Sequence, residues 1–241
     1  MVLNKSFKSI KKTKIIIALD FSNINIAMSF IKKLNPNIHR LKIGKEMFFL
    51  FGLNFIKKLI KLGFKIFLDL KLHDIPNTVS KAIQSFSKLK IWMISIHSLG
   101  GKEMMKSAKL ALNSFKHKPP LLFSVTILSS LSQIDLTELG MFFSIKKQIL
   151  LLSKLSKEIG LDGIICPGIF SKYIRKHLGK NFKIVSPGIR FKKDLHHDQK
   201  NVISPKEAIK FNIDYIVLGR SITLSKNPIK SLNKINSFIL K

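Results

Sequence analysis

The chain has 241 residues, 46% of them apolar, which is enough for one core of the size found in an α/β barrel, typically ~250 residues. Its longest apolar runs, such as Met47–Phe51, fall far short of the ~20 residues of a membrane-spanning helix, and a single cysteine, Cys166, excludes an internal disulfide and fits a reducing compartment. The formal charge of +30 comes from 43 basic residues spread along the whole chain, of which four are arginines (Arg40, Arg175, Arg190 and Arg220); this argues against a nucleic-acid-binding protein, because phosphate clamping and base readout favour clustered, Arg-rich patches.

Residues 1–14 read as a basic tail that frays before the first strand. The tail lacks the apolar stretch and small-residue cleavage site of a secretory signal, so a cytoplasmic protein is expected. Strands are expected at Ile15–Asp20, Arg40–Gly44, Phe64–Asp69, Ile91–His97, Leu121–Ile127, Gly163–Cys166, Lys183–Ser186 and Tyr215–Gly219. They are continuous apolar runs, as strands buried on both faces should be. Helical patterns are clearest at Asn54–Leu62, Val79–Leu89, Lys102–Ser114, Ile145–Ile159 and Pro205–Phe211. Ser204-Pro205-Lys206-Glu207 has the N-cap, first-position proline and first-turn acid of a helix start. Eight βα units predict an α/β fold, a single (β/α)8 TIM barrel over residues 15–241. The alternative, an open doubly wound sheet, would carry a glycine-rich fingerprint after the first strand, where this chain has Asp20-Phe21-Ser22-Asn23.

Barrel enzymes place their chemistry at the C-terminal ends of the strands. Those ends here carry Asp20, Lys42, Asp69 with Lys71 and Asp74, His97, Thr126 with Ser129, Pro187-Gly188-Ile189-Arg190 and Gly219-Arg220. The chain has 13 acidic residues in all, so three of them at the ends of strands one and three is a concentration that scatter rarely produces. Asp69 and Lys71 are two apart and share a face if the strand continues. An Asp-x-Lys-x-x-Asp run offers an ammonium flanked by carboxylates, which favour its charged form; such a lysine is a proton donor rather than a Schiff-base nucleophile. A structural ion-pair network is the competing reading.

The loops after strands seven and eight commonly bind phosphate in such barrels. Here they hold Arg190, Asp198, Gln199, Gly219 and Arg220, and glycine with arginine suits an anion, although arginines standing there by chance are the alternative. His73 reads as an orienting hydrogen-bond partner and His97 as a core histidine. His196-His197-Asp198 resembles a metal tract only superficially, because adjacent side chains rarely converge. Cys166 reads as a small apolar residue at a strand end, and Met47–Phe51 and Met141–Phe143 as core or interface packing.

Taken together, Ile17-Ala-Leu-Asp20, Leu41-Lys42-Ile-Gly-Lys-Glu-Met47, Phe67-Leu-Asp69-Leu-Lys71-Leu-His-Asp74-Ile-Pro-Asn-Thr78-Val79, Val125-Thr-Ile-Leu-Ser129-Ser130, Val185-Ser-Pro-Gly-Ile-Arg190, Asp198-Gln199 and Val217-Leu-Gly219-Arg220 resemble the orotidine 5′-monophosphate decarboxylase family. The resemblance implies a homodimeric barrel that converts this nucleotide to UMP and CO2, closing de novo UMP synthesis without metal or organic cofactor. It implies that Lys71 protonates C6, that Asp69 lies against the substrate carboxylate, and that Lys42 completes a charge array with Asp69, Lys71 and Asp74. By the same resemblance Asp74 and Thr78 serve the neighbouring subunit's site, Asp20 and Lys42 bind the ribose, Ser129 contacts the base, and Arg190, Gln199, Gly219 and Arg220 close over the phosphate. Three departures stand out: Ser129 where threonine is common, and Phe191 and Ser221 in place of prolines, changes expected to loosen the two arginine loops. The rivals are a Mg²⁺-dependent sugar-phosphate decarboxylase of the same suprafamily, which would carry an acidic metal ligand where this chain has Lys42, and a basic nucleic-acid-binding protein that does no chemistry.

Overall fold

The computed structural model describes residues 13–190 and 202–239. Residues 1–12, most of the expected tail, therefore lie outside the described residues, as do Phe191, His196, His197, Asp198 and Gln199. Eight strands, β1 (Lys14–Leu19), β2 (Arg40–Gly44), β3 (Lys65–Leu72), β4 (Met93–His97), β5 (Leu121–Val125), β6 (Gly163–Ile165), β7 (Lys183–Ser186) and β8 (Tyr215–Leu218), pair in sequence order and in parallel. The ring closes where β1 meets β8, with Ile15 opposite Ile216 and Ile17 opposite Leu218. The helices are α1 (Ile24–Ile31), α2 (Lys45–Lys61), α3 (Pro76–Ser85), α4 (Gly101–Ala111), α5 (Gln133–Glu138), α6 (Ile145–Glu158), α7 (Ser171–Leu178), α8 (Pro205–Lys210), α9 (Arg220–Thr223) and α10 (Pro228–Ile239). The fold is the expected (β/α)8 barrel. Among the described residues no helix is long and apolar enough to cross a membrane.

Strand periodicity divides the core in two. Ile15, Ile17 and Leu19 of β1 join the layer between strands and helices, whereas Ile16 and Ala18 point inward with Phe67, Met93, Phe123, Val125 and Tyr215. Both faces are dry, which is why the strand sequences run apolar without alternation. The inner cluster plugs the barrel and separates a cavity at the C-terminal strand ends from a hollow at the strand starts, where Trp92, Leu121 and Tyr215 are reached from below. Gly163 makes room for that plug: a Cβ there would stand 2.5 Å from the Phe123 ring and 2.2 Å from the Lys183 carbonyl oxygen.

Several boundaries differ from the sequence reading. β3 continues to Leu72, three residues past its expected end, because it is irregular there rather than finished: its register with β4 shifts between Leu68 and Leu72. α2 begins at Lys45 rather than Asn54, but Gly52 interrupts it with φ 58° and ψ −160°, so the apolar run Met47–Phe51 and the expected helix belong to two segments with a break between them. Met47 is buried while Phe49 is 78% exposed, so that run divides between core and surface. α8 starts as expected, with Ser204 capping Glu207 and Glu207 returning the bond, a reciprocal arrangement that satisfies two free N–H groups. The short α1, α5, α7 and α9, and the C-terminal α10, have no range among the clearest helical patterns, although eight βα units imply helices after β1, β6 and β8.

Candidate active site

Above the apolar plug, a cavity of about 230 Å³ opens between the C-terminal strand ends, and Lys42, Asp69, Lys71 and Ser129 reach it. Asp69 is its centre. Oδ2 lies 2.8 Å from Lys71 Nζ and 3.4 Å from Lys42 Nζ, and Lys42 Nζ in turn lies 3.8 Å from Asp20 Oδ1. Oδ1 accepts a 2.9 Å hydrogen bond from the Ser95 hydroxyl. Burial by itself would raise the pKa of the 7% exposed Asp69, but Lys42, Lys71 and the Ser95 hydrogen bond together outweigh it and hold the carboxyl below its ordinary value. Four charges from three adjacent strands thus alternate along one wall: Asp20, Lys42, Asp69, Lys71.

Asp69 and Lys71 do share a face, although not by regular strand geometry. Lys71 has φ 49°, a left-handed conformation that costs a non-glycine residue on the order of 1 kcal/mol. Its N–H donates to Ser95 Oγ at 2.9 Å. Backbone distortion of this sort concentrates at functional positions.

Asp74 corrects the spacing argument. It does not flank Lys71 within the chain: its Oδ1 accepts the Ile75 N–H at 2.7 Å, and among the described residues it forms no ion pair. The chain turns away after Leu72 and Pro76 opens α3 with its fixed φ. Asp74 and Thr78 consequently face an adjoining groove floored by Phe48, Phe49 and Leu53, which Lys71 also reaches.

On the other side of Asp20, a Cβ on Gly219 would lie 3.6 Å from Asp20 Oδ2, so the ends of β1 and β8 are side by side, and Arg220 starts α9 directly after. Arg190 is buried; its N–H donates to the Ile203 carbonyl at 3.0 Å and its Nη1 to the Ile189 carbonyl at 3.1 Å. The Ser221 hydroxyl stands 3.5 Å from the Ile189 carbonyl, at the edge of hydrogen-bonding distance, between the two arginine-bearing turns. Gln199 lies outside the described residues.

His97 is buried at the end of β4. Its Nδ1 accepts the Leu99 N–H and its ring stacks on His73 at 5.2 Å. Burial first, then the charges of His73, Lys71 and Lys45, push its pKa down to about 4, which suits a neutral structural histidine. Cys166 lines the cavity, but burial pushes its thiol up to about 12, so no thiolate nucleophile stands there. Ser95 is the residue that sequence reasoning passed over. Its signal was present, as the one hydroxyl inside the apolar run Ile91–His97.

The Orotidine 5'-phosphate decarboxylase / HUMPS family model matches residues 13–235. The protein named orotidine 5′-phosphate decarboxylase in Buchnera aphidicola subsp. Schizaphis graminum is 58% identical over 222 residues, covering 92% of this chain and 94% of its own. The Pseudoalteromonas translucida protein of that name is 47% identical over 229 residues, 95% of this chain and 98% of its own. The crystal structure of orotidine 5′-phosphate decarboxylase from Lactobacillus acidophilus superposes with a TM-score of 0.84 at 36% identity, covering 95% of this chain and 100% of that one.

Proposed function

The chain belongs to the orotidine 5′-phosphate decarboxylase / HUMPS family, and from that premise we propose that it is a carboxy-lyase converting orotidine 5′-monophosphate to UMP and CO2 in pyrimidine biosynthesis, with Lys71 as the proton donor. The observation that carries this reading is the Lys42–Asp69–Lys71 array, spaced 3.4 and 2.8 Å at one wall of a barrel-mouth cavity. When the C6 carboxylate departs as CO2, its bonding electron pair stays on C6. A cation already in place beside that carbon stabilises the developing carbanion without reorganising. Lys71 Nζ then gives C6 a proton, and Asp69 orients the ammonium at 2.8 Å.

The remaining roles follow the same logic. Asp20 and Lys42, adjacent at the rim, bind the ribose hydroxyls, and Ser129, at the cavity wall, contacts the base. Arg190, Gln199, Gly219 and Arg220 take the phosphate, whose binding energy is remote from the reacting carbon and so can be directed to closing and organising the site. Asp74 and Thr78 act across a homodimer, each in the neighbour's site. That assignment is supported by their position on a groove lined by the exposed Phe49 and Leu53, an apolar surface that a second copy would cover, and by the absence of an ion pair to Asp74 among the described residues of its own chain.

The Mg²⁺-dependent alternative fits the donor set poorly. Lys42 holds an ammonium 3.4 Å from Asp69 and 3.8 Å from Asp20, where a metal would need an acid, and among the described residues no group of three or more His, Cys, Asp or Glu gathers that could hold an ion. One assay tests the proposal: the absorbance change as orotidine 5′-monophosphate becomes UMP, with EDTA present. Turnover should persist in EDTA and vanish in Lys71→Ala while UMP still binds. Loss of turnover on chelation, or near-normal turnover in Lys71→Ala, overturns it.

A further inference from the structure

The least explained feature of the site is that its central carboxylate and its strained lysine share one small partner. Ser95 stands in the middle of β4, fully buried. Its hydroxyl donates to Asp69 Oδ1 at 2.9 Å and accepts the Lys71 backbone N–H at 2.9 Å. A hydroxyl is suited to both tasks at once, with one proton to give and lone pairs to receive. Cysteine would do each weakly and alanine neither.

We propose that Ser95 is the positioning residue of the reaction centre: one hydroxyl sets the rotation of the Asp69 carboxylate and the backbone of Lys71 together. The case rests on what surrounds it. The β3–β4 ladder is regular at Phe67↔Met93 and Leu68↔Ile94, then shifts before Leu72↔Ile96. The backbone N–H of Lys71 lies inside that shift and goes to the serine side chain. Without it, a partly buried N–H would lose its partner at the residue whose φ is 49°, and the surrounding structure would no longer hold the left-handed turn that aims Lys71 into the cavity. The same hydroxyl occupies Oδ1 of Asp69, which leaves Oδ2 as the oxygen facing both Lys42 and Lys71. Ser95 thereby determines which edge of the carboxylate meets the cations. It does not itself line the cavity, so it acts through Asp69 and Lys71 and touches no substrate.

This inference rests on the roles given above to Asp69 and Lys71, and the experiment separates the two. Ser95→Ala, Ser95→Thr and Lys71→Ala are compared for kcat, for KM, for UMP affinity and for thermal melting. Loss of a hydrogen bond to a charged group, together with slackening of the lysine turn, should lower kcat of Ser95→Ala by roughly 10- to 100-fold. UMP affinity should move by no more than about threefold, since UMP lacks the carboxylate and is gripped by its phosphate and ribose. Ser95→Thr, which keeps the hydroxyl, should recover most of the lost kcat. Wild-type kcat in Ser95→Ala overturns the proposal. Equal losses of kcat and UMP affinity do so as well, because they mark a general structural role. So does a folded Ser95→Thr as slow as Ser95→Ala, or loss of cooperative melting in either variant, which would mean that the residue holds the barrel rather than the charges. If Lys71→Ala turns over normally, the catalytic assignment fails instead, whatever Ser95 does.

Discussion

Replacing Asp69 by asparagine removes one charge and almost no volume, so it isolates what the carboxylate does for the fold. At an effective dielectric of ~20, charges 2.8 and 3.4 Å apart attract by about 6 and 5 kcal/mol. Desolvation offsets several kcal/mol for each ion taken out of water, and here the side chains of Asp69 and Lys42 are only 9% and 13% exposed. Removing one partner of such a pair strands the other, at about 3–5 kcal/mol. Lys71 is one-third exposed, so water screens its share and the low end applies. Asp69→Asn should therefore lose about 3 kcal/mol, or ~6–12 °C in Tm for a chain of this length. Urea and thermal unfolding at equal protein concentration would measure it, since linked association moves both. The sign with pH is fixed by the depressed Asp69 carboxyl. Its contribution is complete above the unfolded value of ~3.9 and is lost as pH falls through the lower folded value. The gap between wild type and variant should thus hold from pH 8 to 5 and narrow below about 4. A gap under about 1 kcal/mol at pH 7, or one already closing at pH 6, would refute the reasoning.

Co-expressed Lys71→Ala and Asp74→Asn chains, each inactive alone, should regain about a quarter of wild-type activity, because random pairing makes half the dimers mixed and each mixed dimer has one intact site; a mixture as inactive as its parents rejects the shared site. The +30 charge should draw an anionic nucleotide toward the barrel, so kcat/KM should fall as NaCl is raised; a flat salt profile rejects this. In an NMR titration the His97 ring should stay neutral down to a midpoint near pH 4; a midpoint near the ordinary ~6.5 would show that the ring is better solvated than the His73 stack implies.

Legibility tracked regularity. The eight strands could be read because a strand buried on both faces has little choice of residue, as in Ile15-Ile16-Ile17 or Ile164-Ile165. The catalytic candidates could be read because charges at strand ends have no packing excuse. What could not be read was where regularity broke. Nothing in Asp69-Leu70-Lys71 announces a left-handed lysine, since the bond that holds it comes from Ser95, 24 positions away. The break in α2 at Gly52 hid its first half, because Met47–Phe51 shows no continuous helical stripe with the segment after it. An acid two residues before Lys71 and another three after it suggested two flanking carboxylates, but Asp69 lines the barrel-mouth cavity and Asp74 sits just before the proline that opens α3.

The closure of β1 on β8 has a consequence for how the molecule comes into being. Eight runs of β-branched and aromatic residues with few charges between their ends are also the makings of sticky peptides, and any sheet built from them in an open form would present two unpaired margins. The finished ring has none. But β8 is the last strand made, so Ile15, Ile16 and Ile17 have no partner on one side until residues 216–218 leave the ribosome. Until then, any sheet the chain forms keeps an open flank. Four strands begin with a basic residue, Lys14, Arg40, Lys65 and Lys183, and like charge at strand starts disfavours edge-to-edge pairing between copies while such a flank is open.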